Sequence, residues 1–202
     1  MNCTCGSIGT VPEVRLCGEH HQYWLGDLRL ASVSSVIKSV LPTDYAGISP
    51  AVLENARQRG VFVDRWFCEY VMSGDIDVPA GVPTEYDDYL GRVIDWWDKS
   101  GLKATAAQKI VWCTTNGIAG MYDILLAADM IVDLKCVASL QPNYRLQLGA
   151  YGVMSTVNGC EIGILHVTKT AVKLVPYSLE DCAAMWRAAV DWWKVKKEFL
   201  IS

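Results

Sequence analysis

The chain has 202 residues and a formal net charge of −4, which is enough sequence for one domain with a substantial core. Hydrophobic residues make up 51% of the chain and charged residues 20%, a composition that excludes a disordered protein. The pI of about 5.3 excludes attraction of nucleic acid by overall charge, so a nucleic-acid partner would need a local basic groove. The sequence has no run of about 18 apolar residues and no basic-then-apolar leader. We therefore expect a soluble cytoplasmic protein with no membrane partner.

Taken in chain order, the sequence predicts an α/β protein. Residues 22–30, centred on a Gly-Asp pair, indicate a β-hairpin, and residues 31–40 indicate a helix capped by Ser32 or Ser34. A long helix is predicted over residues 49–73, because a Ser-Pro pair is typical of a helix start and Gly74 of a helix end. The later predicted elements are an amphipathic helix over 84–99, strands over 102–113, 118–123 and 130–134, a helix around 147–151, a strand pair over 161–167 and 171–175, and a helix over 179–201.

Three of the eight cysteines lie near a histidine pair at the start of the sequence. Thiolates and imidazole are the ligands that tetrahedral zinc prefers, so this cluster is a candidate structural zinc site. The first two cysteines are closer together than in the usual knuckle, and an unliganded N-terminal segment is the alternative. The candidate zinc ligands are Cys3, Cys5, Cys17 and His20. Cysteines scattered among apolar segments are expected to be buried as small hydrophobic residues; they are Cys68, Cys113, Cys136, Cys160 and Cys182.

The main candidate functional feature is an acid and a base within one short apolar strand. Asp133 and Lys135 are two residues apart, so on a strand both side chains point to one face. A hairpin through Asp129 would bring Asp123, at the end of the preceding apolar run, beside Asp133. Two carboxylates next to one ammonium group suit a hard cation such as Mg²⁺ or Mn²⁺. Most Asp-x-Lys pairs are exposed ion pairs, but the apolar flanks leave no solvated face here, and a buried structural ion pair is the other alternative.

The motifs, taken together and in order, resemble those of the PD-(D/E)xK nuclease superfamily. They are Gly117-x-x-Gly120-x-x-Asp123, Asp133-x-Lys135 and, on one face of the following helix, Gln147-x-x-x-Tyr151. The resemblance extends over residues 22–176 and is closest to the RecB-like and phage-type exonuclease branch, which includes Cas4-like relatives. It implies an α/β, restriction-endonuclease-like core with a mixed central β-sheet flanked by helices. It also implies a Mg²⁺- or Mn²⁺-dependent deoxyribonuclease with exonuclease activity.

The same resemblance implies roles for individual residues. Asp123, Asp133 and the Leu134 carbonyl would bind the metal, and Lys135 would orient the attacking water and offset charge on the phosphorane. The following pair, Gln147 and Tyr151, would hold the DNA strand or the lysine. Contacts to the DNA backbone are expected from four further residues: Arg57, Arg59, Tyr144 and Arg145. For Arg57 and Arg59, ordinary solvated positions are the alternative.

Two departures from the family pattern concern the metal site. RecB-like nucleases supply a histidine from an Arg-Gly-x-x-x-His element, and Asp64 stands at the corresponding position here. An aspartate serves a hard cation well, whereas a solvent-facing helix position is the alternative. The family also carries a glutamate near the start of the strand predicted over 102–113, where this sequence has Ala107 and Gln108. Without that glutamate, the metal affinity is weakened or Asp64 substitutes for the missing carboxylate.

We expect residues 1–30 to form a hairpin appendage and residues 31–202 the nuclease-like domain. The implied function is DNA processing in phage-type recombination or repair, in the cytoplasm of a bacterial or phage-infected cell. The implied partners are DNA and a single-strand annealing or recombination protein, and the resemblance is compatible with a homo-oligomer. Two alternatives are a weakened nuclease fold that binds DNA or a recombination partner, and a zinc-stabilised domain in which the Asp-x-Lys pair is structural. The sequence leaves strand preference, polarity and exonuclease against endonuclease action open.

Overall fold

The computed structural model describes residues 13–17, 22–43, 46–157 and 159–200. These residues form an eight-stranded mixed sheet with helices on both faces. In chain order the elements are β1 (Val14–Cys17), β2 (Gln22–Leu25), β3 (Leu28–Ser32), α1 (Val33–Val40), α2 (Pro50–Ser73), α3 (Thr84–Ser100), β4 (Ala104–Cys113), β5 (Ile118–Leu126), β6 (Met130–Cys136), α4 (Asn143–Met154), β7 (Glu161–Val167), β8 (Val172–Tyr177) and α5 (Leu179–Leu200).

The helix boundaries follow from local capping. The Ser32 side chain caps α1 by accepting the Ser35 N–H at 3.0 Å, as one of the two predicted caps. At the start of α2, Ser49 accepts the Val52 N–H at 3.3 Å, and Pro50 occupies the first turn, where a missing N–H costs nothing. The same helix ends at Gly74, whose φ of 78° is left-handed. The predicted start and end of the long helix are therefore confirmed.

Strands β3 and β6 pair with different parts of the same edge of β5. Strand β4 pairs antiparallel along nearly all of β5, so β3 and β6 share the opposite edge. There β3 runs parallel to β5 at Ile118 and Ala119, while β6 runs antiparallel to it at Ile124 and Leu125. In the described register, residues 120–123 lie between these two pairings. The sheet continues from β6 to β7 in parallel and from β7 to β8 in antiparallel pairing.

Two apolar cores cover the faces of this sheet. Helices α2 and α3 pack on one face with Phe67, Leu90 and Val132, and helices α1, α4 and α5 pack on the other face with Ile131 and Leu148. Along β6 the side chains alternate between the two cores, as a strand requires. The predicted fold class is thus confirmed: a mixed central sheet flanked by helices, with an N-terminal hairpin.

Two predicted strand ends near the site were wrong. The strand predicted over 130–134 continues to Cys136 as β6. The apolar run that was expected to end at Asp123 continues to Leu126 as β5. The three residues after Asp123 are buried and pair with β4, and two of them also pair with β6, so the strand pairing extends beyond the charge. Asp123 therefore lies inside a strand. In the part of the chain that the structure describes, no helix is both long and apolar enough to cross a membrane.

Candidate active site

Asp123 and Asp133 meet where β5 and β6 separate. Ile124 pairs with Val132, and continuing that register by one residue sets Asp123 opposite Asp133. At this point a side chain replaces a backbone carbonyl as the hydrogen-bond acceptor: Asp123 Oδ2 accepts the Leu134 N–H at 2.6 Å. The hairpin turn that fixes the register ends at Asp129, which has a positive φ of 57°. The predicted hairpin through Asp129 is therefore present.

Asp133 and Lys135 form a buried ion pair on the face of β6 that is directed toward α4. The Lys135 ammonium contacts Asp133 Oδ2, and their side chains are 18% and 2% exposed, respectively. This burial rules out the alternative of a solvated surface pair. Burial lowers the pKa of Lys135, but the charges of Asp133 and Asp123 more than offset it and raise the pKa above its ordinary value. Lys135 is consequently a fixed cation at neutral pH; its Nζ lies 5.3 Å from the centre of the Tyr144 ring.

Asp64 joins these two carboxylates from helix α2. Its Oδ1 accepts a hydrogen bond from the Cys68 thiol at 3.4 Å, and the same thiol lies 3.5 Å from the Asp123 carbonyl oxygen. Gln108 also hydrogen-bonds to Asp64. In the β4–β5 register Gln108 falls between two paired positions, directly opposite Asp123, and its backbone has a left-handed φ of 49°. The residue that stands in the region of the missing glutamate therefore lies at the acidic cluster.

Burial and neighbouring carboxylates raise the pKa of Asp123 and of Asp64. For Asp123, burial is the largest cause, and the charges of Asp133 and Asp64 add to it, so its pKa lies well above the ordinary value. Burial likewise raises the pKa of Asp64, with the Asp133 charge adding to the effect and the Cys68 thiol opposing it. One ammonium group, Lys135, faces three acids. Full ionisation of the cluster would leave an excess of negative charge, which a bound cation would neutralise.

The donor set fits a hard divalent cation. Among the described residues, no group of three His, Cys, Asp or Glu side chains is arranged as a metal site; Asp133 contacts Lys135, and Asp123 accepts the Leu134 N–H. The other oxygen of Asp133, Oδ1, is buried and has no hydrogen-bond partner within the described residues. Carboxylate oxygens with residual negative charge are what Mg²⁺ and Mn²⁺ take as ligands. Asp64, Asp123 and Asp133 are therefore the residues that could hold such an ion.

The polar pair on α4 faces the same centre. The Gln147 amide donates to the Tyr151 hydroxyl at 2.8 Å. Burial raises the pKa of Tyr151 well above 10, and the charges of Asp133 and Asp123 add to this effect, so the hydroxyl keeps its proton. A Cβ at Gly120 would lie 2.8 Å from the Tyr151 ring. The glycine of the Gly-x-x-Asp motif therefore allows the tyrosine to lie against β5.

These groups line one cleft of about 490 Å³. Its walls come from β5, β6, α1, α2 and α4. Sequence reasoning did not assign Tyr23 to the cleft or Cys68 to the acidic cluster. Tyr23 of the hairpin lines the cleft; burial and the Asp123 charge raise its pKa to about 12. Cys68 was predicted to be a small core residue, and it is buried, but its thiol also binds Asp64; its position one helical turn after that acid is the signal that could have identified it.

The residues expected to contact DNA separate into two groups. Arg57 and Tyr144 line the cleft, and Arg57 also forms an exposed ion pair with Glu54 at 2.6 Å. The other two arginines are engaged elsewhere. The guanidinium of Arg145 lies 5.5 Å from the centre of the Tyr177 ring, and Arg59 pairs with Glu85 at 2.6 Å.

The candidate zinc ligands belong to a different part of the chain. Cys17 is the last residue of β1 and is half-buried. The other three candidates, Cys3, Cys5 and His20, lie outside the described residues. The zinc site stays a prediction from the sequence.

Comparison with known proteins supports the fold. No protein-family profile and no curated protein matches the chain. Among solved structures, the chain is similar to a putative exonuclease from Eubacterium rectale, at a TM-score of 0.54 and 15% identity, covering 81% of this chain and 79% of that one. It also matches the alkaline exonuclease of Laribacter hongkongensis, at a TM-score of 0.38 and 12% identity, covering 85% and 94% of the two chains. A structure of that enzyme with dAMP gives a TM-score of 0.45 at 10% identity, covering 85% and 89%.

The Eubacterium rectale likeness shows that this chain shares the mixed α/β fold of a protein described as a putative exonuclease. The acidic cluster with its lysine lies at the separation of two central strands of that fold.

Proposed function

We propose that the chain is a metal-dependent nuclease that hydrolyses phosphodiester bonds in DNA, with exonuclease activity. One observation carries the proposal: Asp64, Asp123 and Asp133 converge with Lys135 in an open cleft, and the charge of Lys135 offsets the repulsion among them only in part. A purely structural ion pair would need one acid for one base. Three acids around one base are instead the arrangement that suits a bound divalent cation.

Asp64, Asp123 and Asp133 would hold Mg²⁺ or Mn²⁺, with the Leu134 carbonyl as a further ligand. When bound, such an ion supplies Lewis-acid polarisation of the scissile phosphate and lowers the pKa of water. Asp64 substitutes for the carboxylate that Gln108 does not provide. The amide of Gln108 would then orient Asp64 through the hydrogen bond between them.

Lys135 and Tyr151 would act on the reacting phosphate. Lys135 is a fixed cation at neutral pH, so it would stabilise the negative charge that develops on the phosphorane rather than accept a proton from water. The Tyr151 hydroxyl accepts its hydrogen bond from Gln147, which leaves its own proton available for a phosphate oxygen. Gln147 therefore fixes the direction in which Tyr151 donates.

DNA would enter along the part of the cleft that Arg57 and Tyr144 line. Arg57 is exposed, and an exposed ion pair contributes little to stability, so its guanidinium can exchange Glu54 for a phosphate. The ring of Tyr144 offers a stacking surface next to Lys135. The exonuclease names of the structural neighbours, one of them crystallised with dAMP, favour DNA as the polymer.

The test is cleavage of linear duplex and single-stranded DNA carrying a label at one end, with covalently closed circles as the control for endonuclease action. Each substrate is incubated with Mg²⁺, Mn²⁺ or EDTA. We expect metal-dependent shortening of linear DNA from its ends and intact circles. Nicked or linearised circles would instead establish an endonuclease.

A second candidate function is a weakened nuclease fold that binds DNA or a recombination partner. The observation that favours it is the neutral amide of Gln108 at the acidic cluster, where the family pattern has a charge. DNA binding in EDTA without cleavage in either metal would overturn the catalytic proposal and support this alternative.

A further inference from the structure

Arg59 is a largely buried cation next to the site, and it is not among the residues that line the cleft. Its Nη1 pairs with Glu85 Oε1 at 2.6 Å, and its Nη2 donates to the Cys136 carbonyl at 3.4 Å. Its guanidinium centre lies 4.5 Å from the centre of the Tyr89 ring. Only 12% of the side chain is exposed. A phosphate could bind Arg59 only by displacing these contacts, whereas an arginine at a solvated surface has no such contacts to lose.

The three contacts join the elements that carry the acidic cluster. Arg59 lies five residues before Asp64 on the same helix, α2. The Cys136 carbonyl is one residue beyond Lys135 at the end of β6. Glu85 and Tyr89 belong to α3, which packs on the same face of the sheet. One guanidinium therefore fixes the segment of α2 that carries Asp64 against the end of the strand that carries Asp133 and Lys135.

The α3 end of this connection is itself fixed. Glu85 also accepts from the Asn55 amide at 3.4 Å, and the buried Tyr86 hydroxyl donates to Asn55 Oδ1 at 2.7 Å. Both atoms of the Glu85 carboxylate are thus used. Because the guanidinium reaches two different acceptors at once and lies over the Tyr89 ring, its orientation is fixed, and a lysine cannot reproduce all of these contacts.

We propose that Arg59 is a positioning residue that holds Asp64 at its distance from Asp133 and Lys135, and that it does not contact DNA. This inference rests on the proposed function, because the geometry it maintains is that of the metal-binding carboxylates. Groups that orient metal ligands from outside the site typically change metal affinity or activity by about 10–100-fold when they are replaced.

The chain supplies its own control for a purely structural effect. Arg92 lies over the same Tyr89 ring at 5.5 Å and donates to a backbone carbonyl, that of Thr168, at 3.2 Å. It belongs to α3, which carries none of the carboxylates. Arg92→Met therefore removes a comparable stacked arginine without changing a contact to β6 or α2.

The experiment compares Arg59→Met, Arg59→Lys, Glu85→Gln and Arg92→Met with the wild type. Mn²⁺ affinity is measured by calorimetry, and kcat and KM are measured on linear DNA over a range of salt concentrations. We expect Arg59→Met to lower Mn²⁺ affinity and kcat by about tenfold or more, with KM for DNA and its salt slope unchanged. The Mn²⁺ affinities and kcat values of Arg59→Lys and Glu85→Gln should lie between those of Arg59→Met and the wild type. Arg92→Met should retain wild-type Mn²⁺ affinity. If Arg59→Met does not fold, the lysine and glutamine variants decide the comparison.

Two results would overturn the inference. Equal Mn²⁺ affinities for Arg59→Met and Arg92→Met would make Arg59 an ordinary packing residue. A raised KM with a shallower salt slope would make it a phosphate contact, since each lost phosphate contact reduces that slope by about one. Hydrogen exchange of residues 134–137 in EDTA separates this failure from that of the proposed function. A wild type that neither binds Mn²⁺ nor cleaves DNA would refute the proposed nuclease function. In that case the positioning role of Arg59 would be supported only if Arg59→Met accelerates hydrogen exchange of residues 134–137 and Arg92→Met does not.

Discussion

Replacing Asp123 by Asn removes one of the three carboxylate charges and keeps an oxygen for the Leu134 N–H, which lies 2.6 Å from the present carboxylate. The pKa of Asp123 is raised by burial and by the charges of Asp133 and Asp64. Each unit of pKa above its unfolded value costs about 1.4 kcal/mol when the group is ionised in the folded protein. We therefore expect Asp123→Asn to increase the free energy of unfolding of the metal-free protein by about 1–3 kcal/mol at pH 8.

The sign of the pH dependence follows from the raised pKa. Below about pH 4 the carboxyl is protonated in both the folded and the unfolded wild type, so the Asn variant gains nothing. As the pH rises, the unfolded carboxyl ionises first, and the wild type loses stability until the folded pKa is passed. The stability difference between variant and wild type should accordingly grow from pH 5 to pH 8.

The assay is urea denaturation in EDTA at both pH values, repeated with saturating Mg²⁺. Mg²⁺ should stabilise the wild type more than the variant, because it binds the folded carboxylates. A variant that is less stable than the wild type by the same amount at pH 5 and pH 8, or that gains as much as the wild type from Mg²⁺, would refute the argument that the carboxylates repel one another.

Three further predictions concern packing, proton release and zinc. Gly149→Ala should destabilise the protein by more than about 3 kcal/mol in thermal denaturation, because the added Cβ would lie 2.1 Å from the Cys182 carbonyl oxygen. Gly91→Ala is the control in the middle of α3, where an added Cβ has no atom within 4 Å. It should stabilise the protein by up to about 1 kcal/mol. Mg²⁺ binding should release protons, as measured by calorimetry in two buffers of different ionisation enthalpy, because the pKa values of Asp64 and Asp123 are raised; zero release at every pH tested would contradict those shifts. The purified protein should contain one zinc ion per chain by elemental analysis, lost in His20→Asn and retained in His21→Asn, and a metal-free wild type would remove the zinc prediction.

The chemistry of the strand that carries Asp133 and Lys135 was predictable from local pattern. The apolar flanks excluded a solvated face, and the two-residue spacing placed both charges on one side, as the buried ion pair confirms. The turn that precedes β6 fixes the register, so the sequence alone was enough to place Asp123 beside Asp133. These arguments use only the strand period of two and the geometry of a hairpin.

Contacts between distant segments were not predictable in the same way. Arg59 and Cys136 are 77 residues apart in the chain, and no periodic pattern relates an arginine on a helix to a carbonyl at the end of a strand. The arginine was therefore expected at a DNA phosphate. Tyr23 was missed for the same reason: the hairpin pattern gives its strand and its alternation, but not that its ring packs with Val14, Leu30 and Ala119 beside the cleft.

The most direct test of the central claim, that the acidic cluster is a catalytic centre for DNA hydrolysis, is the single-turnover cleavage rate of Asp133→Asn at saturating Mn²⁺ and DNA. Metal coordination and charge stabilisation of the phosphorane supply several kcal/mol, so we expect the rate to fall by about 10³-fold. The variant should remain folded and should bind DNA with unchanged affinity. A folded variant that cleaves DNA within about tenfold of the wild-type rate would contradict the account, because the reaction would then not depend on this carboxylate.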